Sequence, residues 1–136
     1  MSVVEGLICR EDDGTISFGN YLLDKKSKVS DFENAGDVYK VKTFREITKL
    51  EKNEMFVYES VPGTTVRNLK ETARGMEFAV EGDRDAQITV EMEADTEYSV
   101  EIGGEHTGKM KTNMSGKLSM SVELEEGKSI LIRIEK

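Results

Sequence analysis

The stretch Tyr98-Ser99-Val100-Glu101-Ile102-Gly103-Gly104 joins a run of alternating apolar and polar residues to a pair of glycines. Alternation with a period of two is typical of a strand that has one buried and one solvated face. Two adjacent glycines supply the positive φ angles that a two-residue hairpin turn needs. This stretch therefore predicts a β-strand that ends in a tight turn.

The same alternation recurs in four other runs of the C-terminal half. Their apolar positions are Met76, Phe78 and Val80; Ile88, Val90 and Met92; Leu118, Met120, Val122 and Leu124; and Ile130, Ile132 and Ile134. Turn residues separate the runs at Gly82-Asp83, Asn113–Gly116 and Glu126-Gly127. Strands spaced by about 10–12 residues, with a turn at each join, indicate a β-sandwich. We therefore expect an all-β chain whose part from about Thr65 onward is a run of antiparallel hairpins.

The N-terminal half favours strands with a less regular pattern. The turn Asp12-Asp13-Gly14-Thr15 predicts a hairpin between residues 3–9 and 16–23, and further strands are expected at 38–43 and 55–59. Capping-box spacing at 43–46, with Phe44, Ile47 and Leu50 at helical intervals, predicts one short helix over residues 44–52. Residues 65–74 are expected to form an irregular strand.

Pro62, the single proline of the chain, stands beside Gly63 and is the best candidate boundary. Seven of the nine aromatic residues precede it and five of the seven methionines follow it. We therefore expect a β-rich aromatic sub-domain over residues 1–61 and a sandwich-like sub-domain over residues 62–136, packed together.

The chain is acidic, with a net charge of −8 over 136 residues. Nucleic acids and anionic membrane surfaces attract basic proteins, so neither is an expected partner. A single cysteine excludes an intramolecular disulfide, which fits a reducing compartment. The sequence shows no secretory signal pattern and no apolar run near the ~20 residues of a membrane span, so a cytoplasmic location is expected.

Catalytic and metal-binding motifs are absent from the sequence. Cys9 and His106 are almost 100 positions apart, with no local motif that joins them, and one of each cannot supply a usual zinc site. His106 is expected at or beside a hairpin tip. Lys109 and Lys111 have the spacing of charges that protect an edge strand. We expect no catalytic residue, no metal and no cofactor.

Carboxylates cluster at Glu11-Asp12-Asp13 and at Glu81, Asp83 and Asp85. Either cluster could offer oxygen ligands to calcium, as in a calcium-dependent adhesin module, although neither has the EF-hand spacing. Carboxylate pairs could also serve a glycosidase. With 27 acidic residues such a pair arises by chance, so aspartates at turns, which bond their own backbone, are the simpler interpretation.

Aromatic residues give the clearest candidate binding surface. The run Met55-Phe56-Val57-Tyr58 places large residues on both faces of one strand, so each face has to meet packing, a partner chain or a ligand. The predicted binding residues are Tyr39, Phe44, Phe56 and Tyr58. A protein partner, including a second copy of the chain, is favoured over a sugar because the chain has no tryptophan.

Two resemblances follow from longer motifs. The segments 14–21, 43–53 and 55–64 resemble a family of short proteins from Gram-positive anaerobes that are labelled endosialidase. That label implies glycan cleavage. Sialidase-type enzymes are similar to one another in having repeated propeller blades, an arginine cluster and a tyrosine nucleophile. This chain has no repeat and no arginine triad, so no catalytic residue is carried over.

The second resemblance covers about residues 66–136. The segments 98–104 and 112–122 are similar to immunoglobulin-like or fibronectin-like modules appended to bacterial polysaccharide-active enzymes. Such a resemblance implies the fold and hardly constrains the activity. The leading hypothesis is a non-catalytic binding or structural module that can self-associate. The alternative is a glycan-active enzyme or glycan-binding module.

Overall fold

The computed structural model describes residues 3–136, and these residues form strands and turns with no helix. None of them belongs to a helix that could cross a lipid bilayer. The strands are β1 (Ile8–Arg10), β2 (Ile16–Phe18), β3 (Ser27–Asn34), β4 (Asp37–Phe44), β5 (Ile47–Lys52), β6 (Met55–Val61), β7 (Thr65–Glu71), β8 (Gly75–Glu81), β9 (Ala86–Glu91), β10 (Glu97–Ile102), β11 (Glu105–Lys111), β12 (Lys117–Val122) and β13 (Ile130–Glu135).

Two antiparallel sheets pack face to face in a sandwich-like fold. The seven-stranded sheet has the order β1-β2-β7-β8-β13-β10-β11, and the six-stranded sheet has the order β12-β9-β6-β5-β4-β3. The apolar residues of the alternating runs point into one core between the sheets, where most of them are buried. The predicted all-β, sandwich-like class is confirmed.

The predicted helix over residues 44–52 is wrong. Phe44 ends β4 and pairs with Ile47, the first residue of β5, across a tight turn at Arg45-Glu46. Thr48 and Leu50 are fully buried, while Lys49 points outward, which is a period of two. The helical spacing of Ile47 and Leu50 was coincidental. Strand β5 has ladder partners on both sides, in β4 and β6, and a helix could not supply them.

The run of hairpins expected after Thr65 is also corrected. In this part of the chain, β7–β8 and β10–β11 are hairpins within one sheet. The turns after β8, β9, β11 and β12 instead carry the chain from one sheet to the other. Gly and Asp favour both kinds of connection, so turn chemistry alone does not distinguish them. Which strands pair is decided by the burial of the apolar faces of the two sheets against each other in one core.

Strands from both sides of Pro62 share each sheet. Strand β2 pairs with β7 in the larger sheet, and β6 pairs with β9 in the smaller one. A single core cluster runs from Ile8 to Ile134. The peptide bond between Val61 and Pro62 is cis, and it lies in the connection where the chain leaves the six-stranded sheet for β7.

Several local predictions are confirmed. Gly103 and Gly104 have φ angles of 62° and 86° and form the two-residue turn between β10 and β11. The Asp12–Thr15 turn joins β1 to β2. Strand β7 is irregular, with a break in register and a positive φ at Asn68. Strand β11, which carries the exposed Lys109 and Lys111, lies at the edge of its sheet.

Candidate functional site

Two of the four predicted binding residues belong to the core. Tyr58 is fully buried, and its ring lies 5.4 Å from Phe18 and 5.6 Å from Phe78, edge to face in both cases. Tyr39 is also buried, at 7% exposure, under the far end of the six-stranded sheet. These two tyrosines pack in the core of the sandwich.

The other two predicted residues, Phe44 and Phe56, lie on the outer face of the six-stranded sheet. Both are half-buried, and each ring has a lysine ammonium nearby. Lys26 Nζ is 5.9 Å from the ring centre of Phe44, and Lys117 Nζ is 4.6 Å from that of Phe56. Cation–π contacts at such partly exposed sites contribute about 0.5–1 kcal/mol. Because Lys26 and Lys117 lie over the two rings, they cover part of each aromatic surface.

Phe44 and Phe56 do not form one aromatic cluster. Phe44 pairs with Ile47 and Phe56 pairs with Glu51, so the two rings are separated by four positions along β5. At ~3.3 Å per strand residue, that is roughly 13 Å. The structure thus places them at two ends of one surface, which we call the outer face: the solvent side of β3, β4, β5 and β6.

A row of lysines crosses the outer face between the two rings. Lys28 of β3 pairs directly with Lys42 of β4, and Lys42 pairs directly with Lys49 of β5. Residues directly paired in a ladder place their side chains on the same side, about 4.5–5.5 Å apart at Cβ. Among residues 3–136, Lys28 and Lys42 make no ion pair, and Lys49 makes only a long one of 3.8 Å to Glu51.

An apolar row runs beside the lysine row. Phe44 and Ile47 are direct partners, and Val61, which is 52% exposed, continues the row on β6. Phe44 and Ile47 are each two positions along their strand from a lysine of the row, and Val61 is two positions from Glu59, which pairs with Lys49. Two positions correspond to roughly 7 Å along a strand. The outer face therefore offers a band of positive charge next to a band of exposed apolar surface.

Sequence reasoning missed the lysine row for an identifiable reason. The alternation Lys40-Val41-Lys42 was visible in the expected strand at 38–43, but Lys49 fell inside the expected helix. Strand β3, which supplies Lys28, was not predicted. Three charges on three strands become neighbours only when the pairing register is known.

A shallow groove of about 690 Å³ opens at the far end of the outer face. Its lining includes Asp31, Lys40, Glu51 and Glu54. The lining therefore carries charges of both signs, and Tyr39, which also lines the groove, is only 7% exposed. The groove is open and polar, without the enclosed apolar walls typical of small-molecule sites.

Cys9 and His106 lie at opposite edges of the seven-stranded sheet, on β1 and β11. Cys9 is partly buried, and burial together with the nearby Glu11 carboxylate raises the pKa of its thiol. A raised pKa favours the unreactive thiol over the nucleophilic thiolate. His106 stands beside the Gly103-Gly104 turn, as expected, and is exposed.

Three members of the acidic clusters, Glu11, Asp13 and Asp85, accept hydrogen bonds within the chain. Glu11 accepts a hydrogen bond from Ser17. Asp13 accepts hydrogen bonds from the hydroxyl and the backbone amide of Thr15, and these two bonds lower the pKa of Asp13. Asp85 accepts from the Leu124 amide at 3.1 Å. Within residues 3–136, no three Asp, Glu, His or Cys side chains form a group that could hold a metal ion.

The arginines, all within the described part of the chain, are dispersed. Arg45 and Arg84 line one shallow hollow of about 370 Å³, together with Tyr21, Asp24 and Asp83. Their guanidinium groups lie 3.5 Å and 3.6 Å from Asp24 and Asp83, respectively. Both guanidinium groups therefore already have a carboxylate partner within the chain.

Comparisons with protein-family models, with curated proteins and with solved structures find no match. The function is therefore inferred from the outer face and its chemistry.

Proposed function

We propose that this chain is a non-catalytic protein-interaction module whose contact surface is the outer face of the six-stranded sheet. The observation that supports the proposal most is the lysine row Lys28–Lys42–Lys49. Like charges placed directly opposite each other in a sheet destabilise it by a few tenths to about 1 kcal/mol per pair. A chain with a net charge of −8 has many carboxylates, yet none separates these three lysines.

An anionic partner surface would remove the repulsion within the row. The lysines would then contribute to association rate and specificity, since charge complementarity steers encounters and excludes wrong partners. The neighbouring apolar row of Phe44, Ile47 and Val61 would supply the dehydrated contact that binding affinity requires. The partner proposed is thus a protein surface with carboxylates beside apolar side chains.

A protein partner fits the outer face better than a sugar does. A sugar ring stacks on an open aromatic face, and Lys117 stands 4.6 Å above the Phe56 ring while Lys26 lies above Phe44. Protein interfaces instead combine partly buried aromatic side chains with charged rims. The surface thus favours the binding-module hypothesis over glycan recognition.

Site-directed photo-crosslinking in the cells that make the protein tests the proposal. A photoreactive phenylalanine analogue at Phe56 reports on the outer face, and the same analogue at Leu131 is the matched control. Leu131 is a large, 43% exposed residue on the outward side of the opposite sheet. Discrete adducts from position 56 but not from 131 are expected. The same adducts at both positions, or none at 56, would contradict the proposal.

A carboxylated glycan is the second candidate, because the same lysine row would attract sugar carboxylates. It also agrees with the resemblance to proteins labelled endosialidase. Incubation with polysialic acid and a panel of other acidic glycans separates the alternatives. Turnover that is lost in a carboxylate variant would replace the non-catalytic proposal with an enzyme. Saturable binding without turnover, weakened by Lys42→Gln, would identify a glycan-binding module.

A further inference from the structure

Each sheet of the sandwich ends in two edge strands, and three of the four are protected against pairing with another chain. Strand β1 is only three residues long. Strand β3 has a break in register beyond Val29, with Asp31 at a φ of 61°. Strand β11 faces a bulge in β10 and carries Lys109 and Lys111 on one side. Short length, bulges and lysines are the usual devices that block edge-to-edge association.

The fourth edge, β12, is neither short nor bulged. It pairs with β9 over six consecutive residues, from Lys117 to Val122, without a shift in register. It contains neither proline nor glycine, and its only charge is Lys117 at the first position. Within residues 3–136, no other strand pairs with it. A regular, unpaired edge with no charge from Leu118 to Val122 is a template for the addition of another strand.

The sequence of β12 is complementary to itself in the antiparallel direction. When two copies are centred on Met120, Ser119 of one copy lies opposite Ser121 of the other, and Leu118 lies opposite Val122. Lys117, whose ammonium also lies 2.7 Å from Glu91 of its own chain, then lies opposite Glu123. Glu123 is exposed and makes no ion pair among residues 3–136. Opposite charges and hydroxyl pairs at directly opposed positions both stabilise a strand pair.

The serine pairs would extend a polar ladder that the structure already contains. Ser119 Oγ lies 2.9 Å from Thr89 Oγ1, and Ser121 donates to the Gln87 amide oxygen at 2.8 Å. Leu118, Met120 and Val122 are buried inside their own sandwich, so the edge offers mainly backbone groups. Pairing through main-chain hydrogen bonds therefore requires no rearrangement of the core.

We propose that two copies of this chain associate through β12, antiparallel and centred on Met120, to form a continuous twelve-stranded sheet. Directly opposed residues share a face, so the outer faces of both copies would lie on the same side of that sheet. This deepens the proposed function and rests on it, because a doubled outer face would bind a repeated partner with increased avidity. A six-residue edge makes a small interface, so association is expected at high protein concentration.

Charge exchange at the ends of the strand tests both the dimer and its register. Sedimentation equilibrium of the full chain, up to millimolar concentration, should show a monomer–dimer equilibrium. Glu123→Lys should weaken it on the order of tenfold, because two opposite-charge pairs become like-charge pairs. The double variant Lys117→Glu with Glu123→Lys should restore it. A monomer throughout the range, or a double variant that dimerises as weakly as Glu123→Lys, would overturn the proposal.

A second variant checks that the edge itself is the interface. The double variant Ser119→Lys with Ser121→Lys should abolish the dimer while the fold persists, because both side chains are exposed. The control is His106→Lys with Thr107→Lys on the protected edge strand β11, with the same added charge. Loss of the dimer in both pairs, or in neither, would reject β12 as the interface. If the β12 amides are protected from hydrogen exchange while sedimentation gives the mass of a monomer, a peptide rather than a second copy covers the edge. That result would also overturn the dimer.

The outcome is separable from that of the proposed function. Phe56 lies on β6 and contacts β12 through Lys117, which the Ser119→Lys, Ser121→Lys variant leaves in place. Its crosslinks can therefore be measured in that monomeric variant. Crosslinks that persist in a chain that never dimerises would retain the outer face and remove only the dimer. A dimer without crosslinks from position 56 would retain the β12 interface and remove the outer face as the contact surface.

Discussion

The phenolic oxygen of Tyr58 lies 2.7 Å from Oγ1 of Thr64, and both side chains are fully buried. Thr64 Oγ1 also lies 2.8 Å from the hydroxyl of Ser60. Thr48 donates its hydroxyl to the Thr64 carbonyl at 2.7 Å and accepts the Thr64 amide at 3.0 Å. This network ties the turn around Pro62 to β5 and β6, where the chain changes sheets. Buried polar groups are tolerated only when they are paired, and these are.

Removal of single members of this network should have unequal effects on stability. Tyr58→Phe leaves Thr64 Oγ1 bonded to Ser60, so we expect a loss of about 1 kcal/mol in the free energy of unfolding. Thr64→Val removes the partner of both hydroxyls, so about 2 kcal/mol or more should be lost. Urea unfolding measures both variants. A Tyr58→Phe variant less stable than Thr64→Val would contradict the central position of Thr64.

Alkaline pH should destabilise the protein through Tyr58. Burial raises the pKa of this phenol far above its ordinary value of 10.0. Above pH 10 the folded state therefore holds a proton that the unfolded state releases. The free energy of unfolding is unaffected by this group below pH 10 and falls as the pH rises above it. The expected slope from this group is roughly 1.4 kcal/mol per pH unit. Urea midpoints measured from pH 9 to 11 should fall more steeply for the wild type than for Tyr58→Phe.

Strain in the β5–β6 turn should be relieved by glycine. Glu54 is exposed and has a φ of 67°, which costs a non-glycine residue about 1–2 kcal/mol. Glu54→Gly is therefore expected to raise the free energy of unfolding by about 1 kcal/mol. The control is Glu46→Gly in the β4–β5 turn, where φ is not positive and glycine should destabilise. Thermal unfolding measures the stability of both variants. If Glu46→Gly also stabilises the protein, strain at Glu54 is not the explanation.

Close packing at Gly75 should exclude any side chain. A Cβ atom there would lie 1.8 Å from the carbonyl oxygen of Ile134, on the neighbouring strand β13. Backbone cannot yield as a flexible side chain does, so Gly75→Ala should cost about 2 kcal/mol or more. Gly6→Ala is the control, since its nearest non-neighbouring atom would be 3.9 Å away. Equal unfolding midpoints for the two variants would show that β8 and β13 can separate.

A charge reversal in the lysine row should improve stability while it weakens binding. Lys42→Glu converts the two like-charge pairs with Lys28 and Lys49 into opposite-charge pairs, for a gain of about 1 kcal/mol at low salt. Screening should reduce that gain in 1 M salt. The same variant should lose the photo-crosslinks from position 56. A more stable protein with lower binding is the signature of a surface selected for function. Unchanged crosslinking would remove the row from the binding surface.

The sequence by itself determined the all-β class, most strand positions and the Gly103-Gly104 turn. Each of these depends on residues close together in the chain: the period of two in side-chain direction, and the freedom of glycine at positive φ. The same local reasoning failed at residues 44–52. There Phe44, Ile47 and Leu50 have helical spacing, but pairing with β4 and β6 outweighs a weak local preference.

Only the tertiary structure decided the sheet order, the burial of Tyr39 and Tyr58, and the lysine row. Strands that alternate between two sheets satisfy the same turn chemistry as hairpins, so the choice depends on how both sheets cover one core. The meeting of Lys28, Lys42 and Lys49, and the exposure of β12 as an unpaired edge, are likewise properties of pairing register. Register is fixed by contacts between residues distant in sequence, and these contacts define both candidate surfaces.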